Sequence, residues 1–236
     1  MMVPLLTLAF AYQGFAPDRI VHMAIATAIA VTVPTSLSSV RAHHAHGAVL
    51  WPVWRMLVPG IVVGSLLGPQ IVEGISTALL AAVFAVIASI TATQMLIDRK
   101  PKAGRELPGT WGLLGTGFGI GLMSSMFGAG GAFISVPFMT WCNIKIQYAV
   151  ATSGALGLPI AVAGTFGFVF AGWHESGLPR YSLGYIYLPA LLAISVGSVL
   201  LAPVGARLAH RWPVKKLRRA FACLLFVLAA VMVWKA

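Results

Sequence analysis

Residues 111–141 read WGLLGTGFGIGLMSSMFGAGGAFISVPFMTW, and how this stretch lies in space decides the architecture. It carries no charge, and as one continuous helix its 31 residues would extend about 46 Å. A bilayer's hydrocarbon core is about 30 Å thick. Five glycines, at 112, 115, 117, 119 and 121, precede the run Met126-Phe127-Gly128-Ala129-Gly130-Gly131. Three glycines in four positions make a poor helix interior, because each leaves the backbone unrestrained and without side-chain contacts. The stretch is therefore expected to be two half-helices meeting at 128–131. Close packing of small-residue faces is a second use of glycine that suits Gly115, Gly119 and their neighbours just as well.

The composition around this stretch is that of a membrane protein. Of 236 residues, 59% are hydrophobic and 9% charged, and the mean hydropathy is +0.91. Soluble domains carry roughly a quarter charged residues. Sixteen bases against five acids give a net charge of +11. The bases cluster between long apolar runs, which points to loops against an anionic leaflet rather than to nucleic acid. The N-terminal apolar run lacks a basic flank, which argues against a signal peptide.

Six other runs have the length of a span: 20–40, 50–67, 76–97, 149–172, 185–201 and 214–234. Residues 3–11 are too few to cross. Loop charges discriminate between two paths for 111–141. If it crosses once, the fourteen loop bases divide six against eight. If it dips in and returns, twelve share one side and only Arg19 and Arg180 lie opposite. The positive-inside rule expects the second distribution. It puts the basic segments 98–110 and 207–219 in the cytoplasm, with Asp18–Arg19 and 173–183 outside.

The chain also repeats itself. Val3-Pro4 and Ala26-Thr27 correspond to Val136-Pro137 and Ala151-Thr152. Trp51-Pro52, Gly60, Gly68 and Phe84 recur 137 positions later as Leu188-Pro189, Gly197, Gly205 and Phe221. A hairpin plus three spans per unit is an odd number of crossings, so the second unit is inverted. The expected fold is an all-α integral membrane protein of two inverted repeats. Each is a glycine-rich re-entrant helical hairpin plus three transmembrane helices, with the first hairpin truncated. The first repeat covers 1–97, a basic linker 98–110, and the second repeat 111–236. Met1 aligns with Ile134, so a glycine-rich half-helix is expected upstream of Met1 in the natural gene.

Inverted repeats with broken helices are a transporter architecture. The second arm of a buried hairpin begins with unpaired N–H groups and the positive end of its dipole, which favours an anion. The candidate contacts there are Ser124, Ser125, Gly128, Gly130 and Gly131, with Thr152 and Ser153 on the next span and Thr27 as the first-repeat counterpart of Thr152. Ala28 stands where Ser153 does in the second repeat. All five acids lie in loops or at helix ends, which disfavours a cation substrate. Arg55 is read as snorkelling beside Trp51 and Trp54. His22, alone on an apolar face, is read as packed. His43, His44 and His46 form one histidine cluster, in a loop without a nearby cysteine or carboxylate.

The order Gly117-x-Gly119-x-Gly121, Met126 to Gly131, Val136-Pro137 and Ala149 to Ser153 resembles the sulfite exporter TauE/SafE family of bacterial membrane transporters, as do Pro4, Ala24-x-Ala26-Thr27 and His46-Gly47 before Trp51. The resemblance implies inner-membrane movement of small sulfur-containing anions such as sulfite or sulfonates. The expected partners are that anion, the bilayer, and a coupling ion, proton or sodium. No cofactor, metal or catalysis is expected, and the oligomeric state is not set. Two alternatives stay open: a non-transporting membrane scaffold or maturation factor, and an intramembrane metalloenzyme using the histidine cluster.

Overall fold

A computed structural model describes residues 2–45, 47–97, 106–128, 131–175 and 177–198, together with 223, 226, 227 and 230. The expected span 214–234 and loop 207–219, most of linker 98–110, and Gly130 and His46 lie outside the described residues, wholly or nearly so.

The protein is mostly helical. In chain order it forms α1 (Met2–Tyr12), α2 (Ile20–Ala45), α3 (Trp51–Glu73), α4 (Thr77–Ile97), α5 (Thr110–Phe127), α6 (Ala132–Trp141) and α7 (Ile146–Ala171). A short hairpin, β1 (Ser182–Leu183) against β2 (Ile186–Tyr187), then leads into α8 (Leu188–Ser198). Among the described residues, α2, α3 and α7 are long and apolar enough to cross a membrane. Their outer faces expose Val63, Leu67 and Ile71 on α3 and Phe166 and Phe170 on α7, an apolar surface suited to lipid.

Two expectations need correction. Helix α2 runs to Ala45 rather than ending at 40, so His43 and His44 ride its last turn instead of a loop. No glycine or proline interrupts residues 35–46, and the chain leaves the helix just before Gly47, which has φ +62°. The apolar run from Tyr185 does not begin as helix. Residues Ser182–Tyr187 pair as two antiparallel strands around Gly184 (φ +55°), and α8 starts only at Leu188. A Cβ on Gly184 would lie 2.6 Å from the Val169 carbonyl oxygen, so the turn presses directly on the end of α7.

The helices meet through glycine. Helix α3 and helix α5 form the most extensive contact. A Cβ on Gly60 would stand 2.1 Å from the Leu114 oxygen, and one on Gly64 2.2 Å from the Phe118 oxygen. From the other side, Cβ atoms on Gly117 and Gly121 would each approach within 2.3 Å of the Leu57 and Ile61 oxygens. Backbones this close pack by van der Waals contact and weak Cα–H···O bonds, the usual way helices associate in lipid. The Ser65 hydroxyl adds a bond to the Gly121 carbonyl at 3.2 Å. Gly115 and Gly119 face open space, so of the glycines suited to packing it is their neighbours Gly117 and Gly121 that pack.

The same contacts give helix directions. Gly60, Gly64 and Gly68 meet successively later parts of α5, so α3 and α5 run in the same direction. Leu50 meets Thr152 and Gln70 meets Gly167, so α7 runs with α3. Ile29 meets Gly164 and His43 meets Gly154, so α2 runs against α7. Gly131 meets Ile160 and Ser135 meets Ser153, so α6 also runs against α7.

Candidate functional site

The break between α5 and α6 is built from two glycines in left-handed or related conformations. Gly128 caps α5 with φ +63°, its N–H donating to the Ser124 carbonyl. Gly131 opens α6 with φ +75°, and no side chain caps that helix. A side chain is strained at such φ values, and at Gly131 it would also meet Ile160 Cδ1 at 2.3 Å. Gly128 packs against Val3 of α1 and Ile25 and Ala28 of α2. The break therefore lies where the first part of the chain meets the second.

Four of the expected residues gather here. The Ser124 hydroxyl is buried, has no hydrogen-bond partner among the described residues, and lies 3.7 Å from where a Gly131 Cβ would be. Ser153 on α7 comes from the other side, its Oγ 2.8 Å from the Ser135 Oγ, which is also 2.8 Å from the Gly131 carbonyl oxygen. Ser135 has one proton for two acceptors. When it donates to the Gly131 carbonyl, Ser153 donates to Ser135; when it donates to Ser153, the Ser153 proton is free for another acceptor. Ser125 is buried at the contact of α5 with α3 and α7, next to Gly68 and Gly164, and its hydroxyl donates to the Leu122 carbonyl at 3.0 Å. Gly130 lies outside the described residues.

The two threonine hydroxyls each accept a backbone N–H. Thr152 Oγ1 accepts the Leu50 N–H at 3.0 Å, and Thr27 Oγ1 accepts the Tyr187 N–H at 3.1 Å. Both are fully buried. The antiparallel α2–α7 contact separates them by roughly 20 Å along the bundle at 1.5 Å per residue. Each fixes the chain just before another helix begins.

Ser135 is the residue that the sequence reading missed. The available signal was a hydroxyl inside an apolar run, four residues after Gly131 and therefore one helical turn above the break.

Other candidates fall away from this place. The His43 ring lies beside Gly154, whereas the His44 ring meets Trp51 edge-on at 5.5 Å, so these two histidines serve different contacts. Arg55 is exposed on α3. An apolar groove of about 490 Å³ between α3 and α7, lined by residues such as Trp54, Leu66, Pro159 and Phe166, has the character of a lipid-chain contact.

Long apolar helices, an apolar outer surface and a buried broken helix define an integral membrane protein. The sequence model of the sulfite exporter TauE/SafE family matches residues 1–232, and the chain belongs to that family. It is 31% identical over 236 residues to a "Probable membrane transporter protein" of Haemophilus influenzae, covering 99% of this chain and 89% of that one. The "Probable membrane transporter protein YdhB" of Bacillus subtilis is 27% identical over 207 residues, with 85% and 80% covered. A "Probable membrane transporter protein" of Methanocaldococcus jannaschii is 24% identical over 241 residues, with 98% and 86% covered. No solved structure matches. Family and relatives together indicate a membrane transporter.

Proposed function

We propose that the chain is a secondary transporter for small sulfur-containing oxyanions, sulfite or sulfonates, in the bacterial inner membrane, and that the anion is held at the α5–α6 break. The observation that carries this reading is the Ser124 hydroxyl, buried without a partner among the described residues beside the uncapped start of α6. An unpaired buried hydroxyl costs free energy unless something accepts its proton, and an oxyanion at a helix N-terminus does so. Ser153, Ser135 and the α6 backbone N–H groups complete a cradle for oxygen atoms, with Gly128 and Gly131 allowing close approach. Thr27 and Thr152 act by anchoring the elements around it, and Ser125 by seating α5 between α3 and α7. The sulfur chemistry comes from the family description.

The architecture in this proposal is two inverted repeats, each a hairpin followed by three crossings. Two observations support it. Leu50 and Tyr187 stand 137 positions apart, as do Trp51 and Leu188, and each gives its N–H to one of the two threonines that correspond between the repeats. In addition, α5 and α7 both run parallel to α3. A segment crossing once between them would leave α7 antiparallel, so a hairpin that returns to its own side fits. The charge distribution then puts 98–110 and 207–219 in the cytoplasm.

Flux in proteoliposomes tests the proposal. Purified protein is expected to move sulfite, thiosulfate or a sulfonate faster than protein-free vesicles, with chloride a poor competitor. Absence of flux for all of them, together with capture of a stoichiometric partner protein, would sink the transporter reading in favour of a scaffold.

A further inference from the structure

A second polar cluster sits at the end of the bundle where α2 begins and α7 ends, away from the anion site. Arg19 and Glu175 form an ion pair there that still touches the surface, with 32% and 20% of their side chains exposed. Three residues beyond Arg19 on α2, His22 is only 1% exposed. Its Nε2 lies 3.0 Å from the Val72 carbonyl oxygen. A carbonyl only accepts, so Nε2 bears the hydrogen and Nδ1 of the neutral ring is a bare lone pair. That Nδ1 is buried and has no hydrogen-bond partner among the described residues, with the Ile75 backbone the other main-chain group acting on the ring. The Tyr185 ring lies beside the imidazole, centroids 5.7 Å apart, and its buried hydroxyl lies close to the Glu175 carboxylate.

Buried polar atoms are nearly always paired, so an unpaired ring nitrogen in the core calls for a partner, and a proton supplies one. The charged groups acting on it are Arg19 and Glu175, with Glu73, at the end of α3, acting on Tyr185. The cluster is linked to the rest of the machine through the β1–β2 hairpin. Tyr185 rests on His22, and two residues later the Tyr187 N–H is held by Thr27, five positions along α2 from His22. A charge change at His22 thus acts on the segment that leads into α8.

We propose that His22 Nδ1 is a proton-binding site that couples anion movement to protons, with the Arg19–Glu175 pair as its gate to water. This rests on the transporter reading above. When the pair opens, water reaches the cluster and a proton is transferred to Nδ1. An N–H bond forms as the donor's O–H bond breaks, and the reverse step releases the proton when the cluster next opens. The imidazolium cation offsets the negative charge of the anion being carried.

The test uses purified full-length protein in proteoliposomes, a labelled alkanesulfonate, and an internal pH dye, with the membrane potential clamped. A sulfonate is ionised at every pH used, so any proton that moves is carried by the protein. A pH gradient is expected to drive sulfonate accumulation with a matching dye signal in the unmodified protein. His22→Gln keeps an amide donor for the Val72 carbonyl but cannot hold a proton. It is expected to lower the ratio of gradient-driven uptake to sulfonate exchange at least tenfold. Glu175→Gln, at a partly exposed position that folding tolerates, is expected to shift the pH dependence of flux. Sulfonate flux driven by sodium with no dye signal, an unchanged ratio in His22→Gln, or an unchanged pH profile in Glu175→Gln overturns the inference while leaving the anion site standing. Absence of flux for every sulfur oxyanion removes the transporter reading and this inference with it.

Discussion

The Thr152 hydroxyl accepts the backbone N–H of Leu50 at 3.0 Å, tying α7 to the residue from which α3 departs. Leu50 is the N-cap of α3 and offers that helix no side-chain cap of its own. The bond comes from a residue 102 positions away and stands where the N3 glutamate of a capping box would serve in an isolated helix. Thr27 does the same for the chain before α8.

Thr152→Val keeps the shape and removes the acceptor, so a buried N–H is left unpaired. The expected loss is about 1–3 kcal/mol of stability, read as a lowered melting temperature in detergent. Thr152→Ser should restore most of it. Thr27→Val should behave alike, and the double variant should be near additive because the two bonds share no partner.

Ser124→Ala should have opposite effects on stability and flux. Its hydroxyl has no partner among the described residues, so removing it is expected to leave the melting temperature unchanged or raise it slightly. Anion flux should nevertheless fall, by about ten- to a hundredfold if one hydrogen bond to charge of about 1.5–3 kcal/mol is lost. A drop in stability without a loss of flux would count against the anion site.

Glycines on α5 should divide into two groups. Gly117→Ala and Gly121→Ala would push a methyl group into the α3 backbone and should prevent stable folding or cost several kcal/mol, by the overpacking rule of about 1–3 kcal/mol or more. Gly115→Ala and Gly119→Ala meet nothing within 4 Å and should be neutral or stabilising by about 0.5–1 kcal/mol through helix propensity. Thermal unfolding of the four single variants decides it.

Gly131→Ala should be severe despite its small size. The left-handed backbone disfavours a Cβ by about 1–2 kcal/mol, and Ile160 Cδ1 occupies its place. The companion change Ile160→Val, which removes that methyl, should recover part of the loss in flux.

Topology predicts which side each loop faces. Cysteines placed at Asp18 and Tyr181, both exposed, should react with an impermeant reagent from outside whole cells, and one at Lys102 only after the membrane is opened. Labelling of Lys102→Cys in intact cells would overturn the proposed orientation.

The helix break was legible because three glycines so close together leave no other local structure, and Gly128 and Gly131 do adopt positive φ. Which α5 glycines pack was not legible. Gly115 and Gly117 differ only by a rotation of about 200° around one helix, and an apolar helix surrounded by lipid carries no polar face to fix that rotation. Residues 185–187 looked like the start of a span because Tyr-Ile-Tyr is apolar. The same residues favour strands, and Gly184 beside them was the turn signal. Thr27 and Thr152 were singled out as hydroxyls in matching places. Their bonds to Tyr187 and Leu50 link positions more than 100 residues apart, which no local pattern announces.

The glycine contact between α3 and α5 constrains how the molecule can change shape. With Gly60 and Gly64 against the carbonyl oxygens of Leu114 and Phe118, no layer of side chains separates the two backbones. Side chains are what allow packed helices to slide, by changing rotamer as they pass. The two helices must therefore travel together as one stiff strut. Relative movement is left to the seam where Ile29 and Ile160 intervene between α2, α7 and the break, which is where a passing anion would need room.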